Sequence, residues 1–394
     1  MGAALIRPFM FQAHPGYRSQ IELLRAIAGP TLLPIFPEDR VEHERWRRSG
    51  SPLRRVLRRW SGSRPLPSEA AGTRGYVSGS LPPSRYRILD SMERTHIDAD
   101  DPLSLFAGGT RGQLPGESFR RWALALCERL GRISLSFWSR TQLAGFLANL
   151  HADESREALA GGLLSVLPPA IAPRVVCSAV GQAGILRCLT VASGKFWHKG
   201  VPEVAVAVDR LAAKGLPIHL SIVGADIPTE WQEWIARRPF ISMYRQLARA
   251  ELDRLFAEHD LLVFPSHHDT FGWALLEAKS FGMPALATDA YNRTEIVTHG
   301  VDGLLLADPF DSPFLPVSPV PYAASHLGIA ADGNVRVGPL LEDFVEELTA
   351  TLHRLLEDSS LLTTLGAGAL ASVQVAGRFG GEARQVFLRS RLCT

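Results

Sequence analysis

The sequence predicts an α/β chain of two domains, each built on a parallel sheet with helices on both faces. Three observations carry this. The chain has 394 residues, more than one ordinary domain holds and enough for two of roughly 150–200. Its second half alternates short apolar runs with segments of helical apolar spacing over short connections, the rhythm of strand–helix–strand units. The composition is 46% hydrophobic and 21% charged, which supports buried cores and excludes low-complexity and collagen-like chains.

The second half is the easier to read. Residues 184–192 (GILRCLTVA) form an apolar run ending in Ser193-Gly194, a buried strand and then a loop. Residues 201–214 place apolar side chains at helical spacing and stop at Gly215. Strand 216–223, helix 250–259, strand 260–264, helix 271–281 and strand 284–288 continue the alternation. The Pro- and Gly-rich stretch 308–339 reads as a long loop. In the first half, 3–11 is a strand candidate, although Pro8 counts against a central position. His14-Pro15-Gly16 is a turn, 18–28 a helix, 86–91 and 132–138 strands, and the Ser-, Pro- and Gly-rich 61–85 loops out. A hinge falls at 180–186, giving domains 1–183 and 184–375. A last helix at about 381–391, within a tail 376–394, returns to the first domain.

No apolar run reaches the ~18–20 residues of a membrane span, and the opening residues resemble neither a secretory leader nor a myristoylation signal. A cytoplasmic location is expected. Cys127, Cys177, Cys188 and Cys393 lack metal-ligand spacing and read as reduced packing thiols. Residues 1–183 hold 24 Arg, no Lys and 16 acidic residues, a net +8, while the remainder is −6. That contrast directs the first half towards an anionic partner. It peaks at residues 40–64, with nine Arg against Glu42 and Glu44. There, Leu53, Val56, Leu57 and Trp60 make one helical stripe and Arg54, Arg55, Arg58 and Arg59 the other. The stripe either packs on the first domain or docks the chain on the inner, anionic face of a membrane or on an anionic acceptor. No nucleic-acid module accompanies it.

The chemistry concentrates in residues 264–306, FPSHHDTFGWALLEAKSFGMPALATDAYNRTEIVTHGVDGLLL. Asp269 lies on a loop at a strand's carboxyl end. Phe271-Gly272 opens a helix whose unpaired N–H groups form an anion site. Glu277 lies about six residues in, or ~9 Å along the axis. Two carboxylates so separated suit the sugar and ribose hydroxyls of a nucleotide-sugar, with the diphosphate between them. His267-His268 beside Asp269 lacks a third ligand, so no metal is expected.

The composite PS-xxx-T-FG-xxx-LEA-xxx-GMP-xx-ATD-xxxxx-EIV-xxG-xxG resembles the retaining glycosyltransferases of family 4 (glycosyl transferases group 1), with Asp269 where that family has the first Glu of E-x7-E. The resemblance implies the GT-B fold, two Rossmann-like domains with parallel sheets facing a central cleft. It implies transfer of a sugar from a UDP-, GDP- or ADP-sugar to an acceptor hydroxyl with retention of anomeric configuration. No further cofactor is needed. The acceptor is a glycan, a lipid-linked molecule or a small molecule. Asp269 would face the sugar hydroxyls and Glu277 the ribose, while the backbone of Thr270, Phe271 and Gly272 would line the sugar and phosphates. SGKFWHKG, 193–200, stands at the family's GR…KG segment, so Gly194 would approach the donor and Lys195 and Lys199 would neutralise its diphosphate. Gly16 stands at the family's phosphate turn. His96, with Glu93 as the alternative, stands where a family His lies near the reacting sugar. A non-catalytic nucleotide-sugar-binding scaffold and a nucleotide-sugar epimerase remain as other readings.

Overall fold

The computed structural model describes residues 9–12, 32–34, 74–78 and 94–99; 116–174 except 129–132, 149 and 161–163; 184–309 except 193–195, 246, 268 and 270; 327–329; 335–337; and 339–392 except 375. Contacts divide the chain into Met1–Ala170 with Gly381–Thr394, and Ile171–Gly380. The boundary falls upstream of 180–186.

The first unit holds strands β1 (Phe9–Gln12), β2 (Leu32–Pro34), β3 (Arg74–Ser78), β4 (Arg94–Ala99), β5 (Ile133–Phe137) and β6 (Leu164–Val166). They form one sheet in the order β2-β1-β3-β4-β5-β6, every pair parallel. Helices α1 (Gly116–Cys127), α2 (Arg140–Leu147) and α3 (Ala152–Ala160) belong to it. Ser139 caps α2 by accepting the Gln142 N–H at 3.1 Å. β1 is an interior strand despite the nearby proline, because the ladder begins at Phe9, one residue past Pro8.

One first-half expectation is corrected. Residues 61–85 do not simply loop out, since Arg74–Ser78 is β3, paired with β1 and β4. The next described strand is Arg94–Ala99, and the strand expected at 86–91 lies outside the described residues. β4 carries His96 and Asp98 at zero exposure, so its polar groups need buried partners. The C-terminal helix (Gly381–Leu392) supplies one. Its fully buried Arg384 pairs with Asp98 and donates to the carbonyls of Leu167 (2.8 Å) and Pro168 (3.0 Å).

The second unit holds β7 (Leu186–Val191), α4 (Val201–Ala213), β8 (Ile218–Val223), α5 (Thr229–Ala236), β9 (Ile241–Tyr244), α6 (Arg249–Glu258), β10 (Leu261–Phe264), α7 (Trp273–Ser280), β11 (Ala285–Thr288), α8 (Arg293–Ile296) and β12 (Gly303–Leu306). Its parallel sheet runs β12-β11-β10-β7-β8-β9. β10 and β11 are buried at every residue, as strands covered on both faces require. α4 sets Val201, Val204, Ala205, Val208 and Leu211 into the core with Leu341, Val345 and Leu348 of α9 (Pro339–Glu357). Within the stretch expected to be one long loop, β13 (Leu327–Ile329) and β14 (Val335–Val337) form an antiparallel pair. α10 (Ser359–Val373) completes the unit. Among the described residues no helix is long and apolar enough to cross a membrane.

Candidate functional site

In the second sheet, β8 and β9 extend from one side of β7, and β10, β11 and β12 from the other. The chain therefore leaves β7 and β10 in opposite directions, and a crevice opens at their carboxyl ends. Lys199 follows β7 and Asp269 follows β10. The two meet as an ion pair, Lys199 Nζ to Asp269 Oδ2, with the side chains only 8% and 16% exposed. Lys199 Nζ also lies 5.3 Å from the centre of the Phe264 ring, a cation–π contact.

Local geometry enforces this meeting. Gly200 has φ +65°, and a Cβ there would sit 2.2 Å from the Pro265 carbonyl oxygen. The turn before α4 thus packs directly on the segment after β10, which no side chain at 200 would permit. The His267 N–H donates to the His198 carbonyl at 2.9 Å, and Ser266 Oγ donates to the same oxygen at 3.2 Å. Gly272, at φ +95°, starts α7 without any side-chain cap, and its carbonyl accepts the Leu275 N–H at 2.9 Å. Phe271 beside it is buried.

Glu277 points from α7 to Arg249 of α6 and forms an ion pair with it. Arg249 also pairs with Asp253 at 2.7 Å, and Asp253 with Arg174 at 2.7 Å. Burial pushes the Glu277 carboxyl above its usual range, with Arg249 offsetting part of the rise. The bond to Arg249 engages Oε1.

Behind the pair lies a polar cluster that sequence reasoning missed. The buried His267 ring places Nε2 3.0 Å from Glu203 Oε1 and Nδ1 3.0 Å from Asp308 Oδ1. Burial opposes a charge on the ring, but hydrogen bonds to Asp308 and Glu203 outweigh it and hold the pKa above its ordinary value. Arg293, fully buried on α8, donates from Nε to the Thr288 carbonyl at 3.1 Å and from Nη2 to the Ser266 carbonyl. Its Nη1 has no hydrogen-bond partner. Burial lowers its pKa to about 10, with Asp269 the leading charge that resists. These partners come from separate segments, and only His267 carried a sequence signal, its place beside Asp269.

His96 is the one other expected site residue that is described. His96 is buried in the first unit, with Nδ1 2.8 Å from Ser134 Oγ, Nε2 3.0 Å from Ser136 Oγ, and Phe387 across its ring at 5.5 Å. Lys195, Gly194, Thr270, Gly16 and Glu93 lie outside the described residues, as does the basic segment 40–64. Of the cysteines, Cys127 and Cys188 are described and free, and burial raises the Cys127 thiol to about 11.

Residues 187–313 match the family model for glycosyl transferases group 1. Several solved structures are similar over nearly the whole chain. A glycosyltransferase from Rickettsia africae is 12% identical at a TM-score of 0.59, covering 98% of this chain and 99% of that one. Anabaena Alr3699/HepE, solved with UDP and glucose, is 14% identical at 0.57, covering 98% and 100%. WaaG, a glycosyltransferase involved in lipopolysaccharide biosynthesis, is 15% identical at 0.52, covering 96% and 99%. At such identities the likeness carries the fold, which is GT-B. A curated relative, an uncharacterised 41.2 kDa protein in the cps region of Klebsiella pneumoniae, is 32% identical over 63 residues, 16% of this chain and 18% of its own length. The match thus spans less than a fifth of that relative.

Proposed function

We propose that the chain is a glycosyltransferase that binds a nucleotide-sugar at the carboxyl ends of β7 and β10 and transfers the sugar, with retention, to an acceptor hydroxyl. The observation that carries this reading is the Lys199–Asp269 pair beside the open start of α7. A cation, a carboxylate and a helix start without a side-chain cap lie together where a diphosphate and a sugar would sit side by side. The match of residues 187–313 to glycosyl transferases group 1 supports it.

In this reading Lys199, with Lys195, faces the diphosphate and stabilises the charge that develops as the sugar–phosphate bond breaks. Asp269 accepts hydrogen bonds from sugar hydroxyls, and Glu277 offers Oε2 to the ribose while Arg249 holds Oε1. The backbone at Thr270, Phe271 and Gly272 lines the phosphates, with Gly194 and Gly16 closing on the donor. The acceptor oxygen bonds to the anomeric carbon on the face from which the nucleoside diphosphate departs, and a donor phosphate oxygen takes the acceptor proton. Protein groups position the reactants and stabilise charge; none becomes a nucleophile. His96, with both ring nitrogens on serine hydroxyls, would have to be released from Ser134 or Ser136 to reach a sugar. The acceptor is a glycan, lipid-linked or small molecule in glycan, glycolipid or polysaccharide synthesis at the cytoplasmic side, with residues 40–64 facing an anionic membrane.

Thermal-shift measurements with UDP, GDP, ADP and their sugars test the site on wild type and Glu277→Ala. One nucleotide should raise the wild-type melting temperature by mass action, and Glu277→Ala should lose that rise. If none shifts the wild type, the donor site falls. If one binds but neither transfer nor donor hydrolysis follows, the scaffold reading replaces the enzyme.

A further inference from the structure

The Glu203–His267–Asp308 cluster has no role in that mechanism, yet it occupies the place from which both charged residues of the site project. Glu203 sits in the first turn of α4, four residues after Lys199. His267 sits two residues before Asp269. Asp308 follows β12. All three side chains are at most 4% exposed. Three separate segments are thereby joined through one ring.

We propose that His267 is the positioning residue of the donor site, a clamp that holds the Lys199 turn and the Asp269 loop at a fixed separation. The inference rests on the donor site proposed above. The chemistry is specific. Glu203 and Asp308 each present an oxygen 3.0 Å from a ring nitrogen, and a carboxylate can only accept. Both nitrogens must then donate, so the clamp is complete only as an imidazolium. A neutral ring would turn a lone pair towards a carboxylate in a buried place, where an unmet polar group is costly. Glu203 from α4, Asp308 after β12 and the uncharged Phe344 of α9, 5.7 Å away between ring centres, all face the ring. Arg293 lies near enough to feel the Asp308 charge and balances the surplus carboxylate.

The consequence is a basic limit on the site. His267 has its pKa raised above the ordinary value of 6.5. Its contribution is complete below the unfolded value and is lost as pH rises through the folded one. Loss of the clamp lets Lys199 and Asp269 drift apart, so binding of a diphosphate should weaken on that limb. A merely structural histidine would change the melting temperature and leave the pH profile of binding alone.

The experiment uses the full chain with UDP, GDP and ADP as probes, titrated calorimetrically from about pH 7 to about pH 9, above the phosphate's own second ionisation at about 6. The best-binding probe should lose about tenfold or more in affinity across the wild-type basic limb. His267→Gln, which can donate to one carboxylate only, should start about tenfold weaker and show no such limb. A ligand-free arm reads the clamp directly: the His267 imidazole nitrogens, followed by NMR, should both carry protons at about pH 7. A neutral His267 at that pH overturns the proposal, whatever binds. So does an unchanged affinity profile in His267→Gln with only a lowered melting temperature. If no probe binds wild type while His267 is doubly protonated, the donor-site reading has failed and the positioning role falls with it, a result distinct from either of those.

Discussion

The two units build the same parallel layered sheet and each buries a histidine, but they surround it differently. In the first unit, Arg384 pairs with Asp98, Ser136 Oγ donates to Asp98 at 2.9 Å, and His96 Nε2 lies 3.0 Å from that hydroxyl. Since the Ser136 proton goes to Asp98, Nε2 must donate, while the Ser134 hydroxyl at Nδ1 can either donate or accept, so these partners do not demand a charged ring. An arginine supplies the positive charge and the histidine only extends the chain. In the second unit two carboxylates flank His267 directly, and the ring itself must be the cation. Buried histidine thus means different things in one molecule. Its partners decide whether it ends a satisfied network or carries a charge that pH can remove.

The largest effect is expected where the first network is broken. Arg384→Met leaves Asp98 buried without its cation and frees the carbonyls of Leu167 and Pro168. Removing one partner of a buried pair costs about 3–5 kcal/mol. Hydrogen exchange should show that loss in the amides of β4 and β5 and leave β7 and β10 protected. Equal loss in both sheets would mean that the units do not open separately, and the contrast between them would lose its force.

A smaller effect is expected at Gly200. Gly200→Ala places a methyl against the Pro265 carbonyl and forces a side chain to adopt a left-handed backbone. The conformation alone costs about 1–2 kcal/mol, and the close approach adds to it. Chemical denaturation should report at least that much, and the nucleotide-induced rise in melting temperature should shrink, because the turn carrying Lys199 cannot seat. A variant that is less stable but binds nucleotide as tightly as wild type would detach Lys199 from the donor.

The same contrast governs what the sequence could reveal. In the second unit, LLVF of β10 and ALAT of β11 are covered on both faces, so burial writes itself as unbroken apolar runs. Lys199, Asp269 and Glu277 stand in contiguous motifs and could be singled out. In the first unit, RGYVS and RTHIDA are polar strands. The burial of Asp98 on RTHIDA depends on a partner that no window includes: Arg384 lies 286 positions away. Glu203, Asp308, Arg249 and Arg293 carry no such signal for the same reason, each joined to the candidate site by a contact across the fold and by no spacing along the chain. The basic limit expected of His267 therefore could not be read from the His267-His268 pair itself.

The smallest effect sharpens that last point, because two other histidines of the second unit titrate in the opposite sense. His219 Nε2 lies 3.1 Å from Ser242 Oγ, and His259 has Nδ1 2.7 Å from the Leu255 carbonyl and Nε2 2.9 Å from Ser221 Oγ. A carbonyl only accepts, so His259 donates from Nδ1, and the Ser221 hydroxyl can donate to Nε2 of the neutral ring. Burial lowers the pKa of both; for His259 the backbone bond resists, while the charges of His219 and Arg187 add to the fall. A histidine with a folded pKa below 6.5 favours folding above the unfolded value, and that stability is lost as pH falls through 6.5 towards the folded value. His267 acts on the other side of 6.5. Stability of the second unit should therefore crest near neutrality and fall away on both limbs for different reasons. His259→Gln should flatten the acid limb and leave the basic one, while His267→Gln should do the reverse, both read from melting temperature against pH. If one substitution flattens both limbs, the histidines titrate as a coupled set, and the networks before and after β10 do not act separately.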